Sequence, residues 1–476
     1  MSTTAVLLCG ELGLEHGSVA DGLEPGTPLA VLEDLCHRPE AAGRALRGLQ
    51  ATRVVLGLCG KRPSAELLGA LTGAGAVPFG VEPVPLQGRS LGEAQVLLRA
   101  AAARLGALVH GEHGRPVLAA GGMSRRALFS PRALLTEVPI ALMDVDACLG
   151  SSGCGLCIGA CPTEAISAPG PGEPVIDEAA CTACGACVTS CPTDALRLSG
   201  CSTVQIEAQL GQLVGELSGV LFACRSAAVV APPGWALIEL ATLALLTPGW
   251  ILQLRARGVQ VELARCDQQC CAGTHEVAAL AELIASAGDP AAGPPATPLS
   301  LTEPAATVDA VLAIMSEKEP ITIEHSAAPL GMLELDSERC TLCSACALAC
   351  PTGALRFDEG EEQEPAPALL RHTPRACVAC DRCTTVCPED AVTVRRGIDL
   401  GRLRAGTLDI AAAARQRCLV CAIDLPPAPM RRRLRELLPE IAQAPLDLCM
   451  GCAMRATRRT GGSTREEAGS SQTITR

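Results

Sequence analysis

The chain has 476 residues, among them 28 Cys, four Phe, two Trp and no Tyr, and a formal net charge of −12. This length implies about three or more domains, while the acidic balance and the scarcity of stacking rings argue against a nucleic-acid surface. The start "MSTTAVLLCGELG" has no basic n-region and only a short apolar run, so the cysteines read as metal ligands of a cytoplasmic protein rather than as disulfides. Residues 1–110 alternate strand-like and helix-like stretches, from "TAVLLCG" through "RVVLGLCG" to "AVPFGVEPV", predicting an α/β domain with a parallel sheet. Residues 111–143 read as a connector and 144–200 as a cysteine-rich module. A second α/β domain is expected at 201–288, a Pro/Ala-rich linker at 289–333 and a second cysteine-rich module at 334–398. A Cys-paired module spans 399–459, and the polar end, 460–476, reads as disordered. The most apolar window, "GWALIELATLALLTPGWILQL" from Gly234, contains Glu239, Pro248 and a "TPG" turn. It therefore predicts two buried elements, not a membrane span. The expected fold class is multidomain α/β and α+β.

An internal repeat dominates the rest: "CPTEAI", "CPTDALRL", "CPTGALRF" and "CPEDAVTV" are four copies of one ending, grouped two and two. Three copies complete C-x2-C-x2-C-x3-C-P: Cys181, Cys184, Cys187 and Cys191; Cys340, Cys343, Cys346 and Cys350; and Cys377, Cys380, Cys383 and Cys387. Soft thiolates at this spacing suit iron held in a sulfide cage, and a zinc site would not need the trailing Cys-Pro. The fourth copy, "CLGSSGCGLCIGACP", has Cys154, Cys157 and Cys161 in register, but Ser151 stands at the first ligand position and Cys148 lies three residues further back. Both Cys148 and Ser151 are candidates there, with sulfur the better match to a soft site.

The two blocks resemble the bacterial two-[4Fe-4S] ferredoxin fold, and the resemblance implies that each trailing Cys ligates the sister cluster. The implied sets are Cys340, Cys343, Cys346 and Cys387; Cys377, Cys380, Cys383 and Cys350; Cys181, Cys184, Cys187 and Cys161; and Cys154, Cys157, Cys191 with Cys148 in question. That makes four [4Fe-4S] clusters in two pairs.

Cys9, Cys36 and Cys59 each end an apolar run, which would bring three thiols to the carboxyl edge of a parallel sheet. "VLLCGELG", "EDLCHRPE", "RVVLGLCGKRPSAELLGAL" and "GAGAVPFGVEPV" are similar to the amino-terminal segment of the heterodisulfide reductase A family. That resemblance implies an iron–sulfur cluster on these cysteines, although the family's further Cys is replaced by a stretch offering only Ser90. "GVLFACRSAA" and "RGVQVELARCDQQCCAG" resemble the delta subunit of methyl-viologen-reducing hydrogenase. Cys224, Cys266 and Cys270 match its pattern, with Cys271 or Cys201 standing in for absent ligands, so a further cluster is implied. Near the end, Cys418-x2-Cys421 and Cys449-x2-Cys452 form two knuckles, the signature of a closed four-thiolate zinc site, with a rubredoxin-type iron as the rival.

No G-x-G-x-x-G turn follows a strand and no P-loop is present, so no flavin or nicotinamide site is expected. No Ser/His/Asp or paired-carboxylate constellation stands out, and catalytic residues are not assigned. The chain reads as a multicluster electron carrier that relays single electrons between a flavin, molybdopterin or nickel partner enzyme and an acceptor. In this reading it resembles a heterodisulfide reductase A that has lost its flavin module. The alternatives are a reductase acting at an incompletely ligated cluster and, last, a zinc-dependent interaction protein.

Overall fold

The computed structural model describes residues 3–60, 62–118, 135–150, 154–170, 172–225, 227, 229–266, 274–287, 297–301, 304–315, 321–359, 367–438 and 445–455. The fold is mixed α/β, with several small parallel and antiparallel sheets. The chain divides into two compact units, Met1–Ile321 with His325–Pro329, and Thr322–Glu324 with Leu330–Arg476.

The first unit opens with the strands β1 (Thr4–Cys9), β2 (Leu29–Leu32), β3 (Arg53–Leu58) and β4 (Val81–Pro85), a parallel sheet in the order β2-β1-β3-β4. Its helices are α1 (His16–Ala20), α2 (Pro39–Gly48), α3 (Ala65–Gly73) and α4 (Leu91–Gly106). The continuous Val/Leu runs of β1 and β3 are buried along their length, as a strand covered on both faces requires. Local signals set the helix starts: Pro39 opens α2, Ser64 caps α3, and Ser90 with Glu93 forms a capping box on α4.

The 111–143 stretch, expected as a connector, instead carries an antiparallel pair, β5 (Arg115–Leu118) with β6 (Leu135–Val138), and then β7 (Ala141–Met143). The first cysteine-rich module follows as α5 (Leu156–Ala160), β8 (Ile166–Ser167), β9 (Val175–Ile176), α6 (Ala186–Ser190) and β10 (Leu196–Leu198), with β10 returning to pair with β7. After α7 (Thr203–Gly211) come β11 (Gly219–Cys224), β12 (Trp235–Leu240), α8 (Pro248–Arg255), β13 (Gln260–Ala264) and α9 (Thr274–Ala287). Here the sheet is again parallel, in the order β12-β11-β13. The most apolar window is thus a strand and a buried helix, and no described helix is long and apolar enough to cross a membrane. Part of the expected linker is the helix α10 (Pro304–Ile314), packed on α8. Gln253 fastens this stretch, donating to the Ser300 carbonyl at 2.6 Å and accepting from the Ser300 amide at 3.1 Å.

The second unit contains β14 (Thr322–Glu324), β15 (Gly331–Leu335), α11 (Ala345–Leu348), β16 (Leu355–Glu359), β17 (Ala368–His372), α12 (Arg382–Thr385), β18 (Val392–Asp399), α13 (Leu400–Ala405), β19 (Leu408–Ala413) and α14 (Ala428–Leu437). Two antiparallel sheets, β14-β18-β15 and β16-β17-β19, carry the second cysteine-rich module. Strand β19 lies beyond the expected edge of that module at 398 and pairs with β17.

Candidate metal centres

The four cysteine motifs open alike. In each, the residue leaving a strand donates its amide to a carbonyl in the sister motif's tail: Asp144 to Ala195 at 2.8 Å, Asp177 to Ala165 at 2.7 Å, Asp336 to Ala391 at 2.8 Å and Thr373 to Ala354 at 2.7 Å. The three aspartates then turn the chain by accepting from the amide two residues on, at 3.0, 2.8 and 3.0 Å. Four residues after each of these positions stand Cys148, Cys181, Cys340 and Cys377. The second residue beyond each cysteine is left-handed: Gly150 at φ 73°, Ala183 at 55°, Leu342 at 55° and Ala379 at 52°. Cys148 therefore occupies the first-cysteine place in the backbone pattern, and the extra residues come after the left-handed turn. Ser151 lies outside the described residues.

The motif thiols gather around hollows. Cys161, Cys181, Cys184 and Cys187 line one; Cys340, Cys343, Cys346 and Cys387 line another; and Cys350, Cys377, Cys380 and Cys383 line a third. Cys157 lies in the electrostatic reach of Cys154, Cys191 and Cys148. Every trailing cysteine thus faces the set of its sister motif. Within each module the sets adjoin, since Cys187 feels Cys157 and Cys383 feels Cys346. Burial and then the crowding of neighbouring thiols push Cys187 and Cys383 up to about 12 and Cys346 up to about 11. Four thiolates in so small a space need a cationic core, which the iron of a cluster supplies.

Backbone and hydroxyl donors point at the trailing sulfurs. The amides of Ala165, Leu355 and Ala391 donate to Cys161, Cys350 and Cys387 at 3.2, 3.4 and 3.3 Å. The hydroxyls of Thr163, Thr193 and Thr352 lie 3.7, 3.7 and 3.8 Å from Cys161, Cys191 and Cys350. Glu389 stands at the matching place after Cys387 and pairs with Arg433 instead. The turn-forming aspartates and these threonines are absent from a reading built on cysteine spacing, although "DVDAC", "DEAAC" and "DSERC" share an Asp-x3-Cys signal.

Two groups are far tighter. Cys418, Cys421, Cys449 and Cys452 bring their sulfurs within 4.8 Å of one another, and so do Cys9, Cys36 and Cys59. The first group joins a turn closed by Cys418 N–H to Ile423 at 2.8 Å to the start of a helix at 450–455. The Cys449 amide, donating at 3.3 Å, holds the Cys418 thiol down at about 6. The Arg455 guanidinium donates to Cys452 at 3.2 Å. A tetrahedral ion with metal–sulfur bonds of about 2.3 Å sets its sulfurs about 3.8 Å apart, and Cys421 and Cys449 are 3.6 Å apart. The donor set and its spacing fit one zinc.

The stretch 201–288, with its parallel sheet, gathers no such group among its described residues. Cys224 ends β11 in the core, Cys266 follows β13 half-buried, and Cys201 is buried with its sulfur accepting from the Ala241 amide at 3.4 Å. Cys270 and Cys271 lie outside the described residues. Ser90 is engaged in the capping box of α4, its hydroxyl accepting from the Glu93 amide and donating to the Glu93 carboxylate.

Residues 339–391 match the 4Fe-4S dicluster domain family, and residues 174–197 match the 4Fe-4S binding domain family. No curated protein matches the chain. Hollows lined by crossed sets of thiols and two ferredoxin-type family matches make the chain an iron–sulfur protein of the electron-transferring kind, which implies a redox partner.

Proposed function

We propose that the chain relays single electrons through four [4Fe-4S] clusters in two pairs, held by the crossed cysteine sets, with Cys148 completing the irregular one. The observation that carries this reading is the reciprocal reach of Cys161, Cys350 and Cys387 into the sister motif's hollow. Adjoining sets within a module give each electron a short step, and the protein tunes each potential through the amides and hydroxyls aimed at the sulfurs. Cys418, Cys421, Cys449 and Cys452 hold one structural zinc. The partner is a cytoplasmic flavin, molybdopterin or nickel enzyme, and the chain acts as a heterodisulfide reductase A-like relay without a flavin module, joined to a hydrogenase delta-like domain. The two parallel sheets with cysteines at their carboxyl edges support that relationship.

Anaerobic purification with iron and sulfide counted per chain tests the relay. About sixteen of each, with the reduced protein showing interacting paramagnetic clusters, is the expected result. Fewer than about eight irons after reconstitution overturns it.

A further inference from the structure

Cys9, Cys36 and Cys59 come from three neighbouring strands of one parallel sheet. Cys9 is the last residue of the central β1, Cys59 follows β3, and Cys36 lies in the turn after β2. Cys59 Sγ is 3.4 Å from Cys9 Sγ and 3.4 Å from Cys36 Sγ. Gly10 eases the approach, since a Cβ there would stand 3.3 Å from the Glu33 Cα across the turn.

The resemblance to heterodisulfide reductase A implies an iron–sulfur cluster on these thiols, and the spacing does not fit one. A cubane binds its thiolates through separate irons and needs them around a hollow, as the ferredoxin sets of the same chain stand. Among the described residues only this trio and the Cys418 group close to within 4.8 Å. Its 3.4 Å separations approach the roughly 3.8 Å spacing of sulfurs on one tetrahedral ion.

We propose that Cys9, Cys36 and Cys59 form a mononuclear zinc site with three thiolate ligands and a fourth position open to solvent. Soft thiolates select such an ion, and an open position distinguishes this site from the closed Cys418 knuckle. Cys9 is buried at the floor, whereas Cys36 and Cys59 are half-buried at the rim. Among the described residues no fourth side chain joins the group: the nearby His37 is 79 % exposed and faces Asp34 at 4.0 Å. Among the described residues the fourth position is thus left to a water or a small exogenous thiolate.

The test uses the full chain, purified anaerobically, with zinc, iron and sulfide counted. Replacing all three residues (Cys9→Ser, Cys36→Ser, Cys59→Ser) removes one of about two zinc ions and leaves iron and sulfide unchanged. Loss of iron and sulfide instead overturns the proposal in favour of a cluster, and no change in any metal overturns it in favour of plain thiols. A second measurement does not depend on the folding of that variant. In Cys418→Ser/Cys421→Ser, which empties the knuckle, X-ray absorption at the zinc edge should show three sulfurs at about 2.3 Å and one lighter ligand. Absence of zinc from that variant, with iron retained, rejects the site while leaving the relay intact.

Discussion

Cys148 illustrates what single residues decide here. Its register is set from the strand side, by Asp144 and the left-handed Gly150, and not by its distance from Cys154. Cys148→Ser should therefore lose the spectrum of one cluster, about four irons, whereas Ser151→Ala should leave iron content and spectra unchanged. The three regular motifs were legible because their cysteine spacing is the one that the matched 4Fe-4S domain families share. The place of Cys148 was legible too, in the shared Asp-x3-Cys, but counting from cysteine to cysteine hides a signal that starts at an aspartate. Thr352 acts on a finer scale, with its hydroxyl 3.8 Å from Cys350. A donor to a cluster sulfur favours the more negative, reduced state, so Thr352→Val should lower one cluster's potential by about 20–40 mV, corresponding to a weak hydrogen bond. Potentiometric titration followed by electron paramagnetic resonance reads that shift.

Strand β17 carries a feature that no sequence pattern announces. His372 at its end is 1 % exposed, and among the described residues neither ring nitrogen has a hydrogen-bond partner. The hollow beside it is lined by Leu330, Met332, Asp399, Arg402 and Leu403. Burial, reinforced by the Arg402 charge, holds its pKa down at about 4. In the unfolded chain the imidazole titrates near 6.5, so the unfolded state binds the extra proton between those values. The stability that a neutral His372 permits is present above about pH 6.5 and is lost as the pH falls toward 4, by up to about 3 kcal/mol. The protection factors of the β17 amides, corrected for the intrinsic pH dependence of exchange, should fall over this window, and His372→Leu should flatten the response. Other elements were misread from composition. The Pro/Ala-rich stretch reads as a linker because proline breaks helices, yet Pro304 sits at the start of α10, where its missing amide costs nothing. The sheet edge bearing Cys9, Cys36 and Cys59 was legible in the alternation of apolar runs. Its tight spacing was not, because strand order and loop reach fix sulfur–sulfur distances.

Within the first unit, the N-terminal sheet, the first cysteine module and the second sheet form one body, and arginines far apart in sequence from their partners hold it together. Arg62 donates to the Arg225 and Ala227 carbonyls at 2.8 and 2.9 Å, and Arg89 to those of Pro232 and Ala231 at 2.7 and 2.8 Å. Such pairings leave no trace in local periodicity, which is why a sequence reading separates domains that the fold unites. Arg104 is the most buried of these side chains, 2 % exposed, and it contacts Glu82 on β4, Gln209 on α7 and the Glu239 carbonyl on β12. Burial pushes the Glu82 carboxyl up, and Arg104 is the first charge opposing that rise. Removing the guanidinium strands a largely buried carboxylate, an amide and a carbonyl at once, so Arg104→Ala should destabilise the first unit by about 3 kcal/mol. Both tryptophans of the chain, Trp235 and Trp250, lie in that unit, so their fluorescence follows its unfolding without a contribution from the other. The denaturation midpoint read this way should fall in Arg104→Ala, while hydrogen exchange at β17 in the second unit stays at its wild-type rate. An unchanged fluorescence midpoint would show that the two sheets and the module cohere without this arginine.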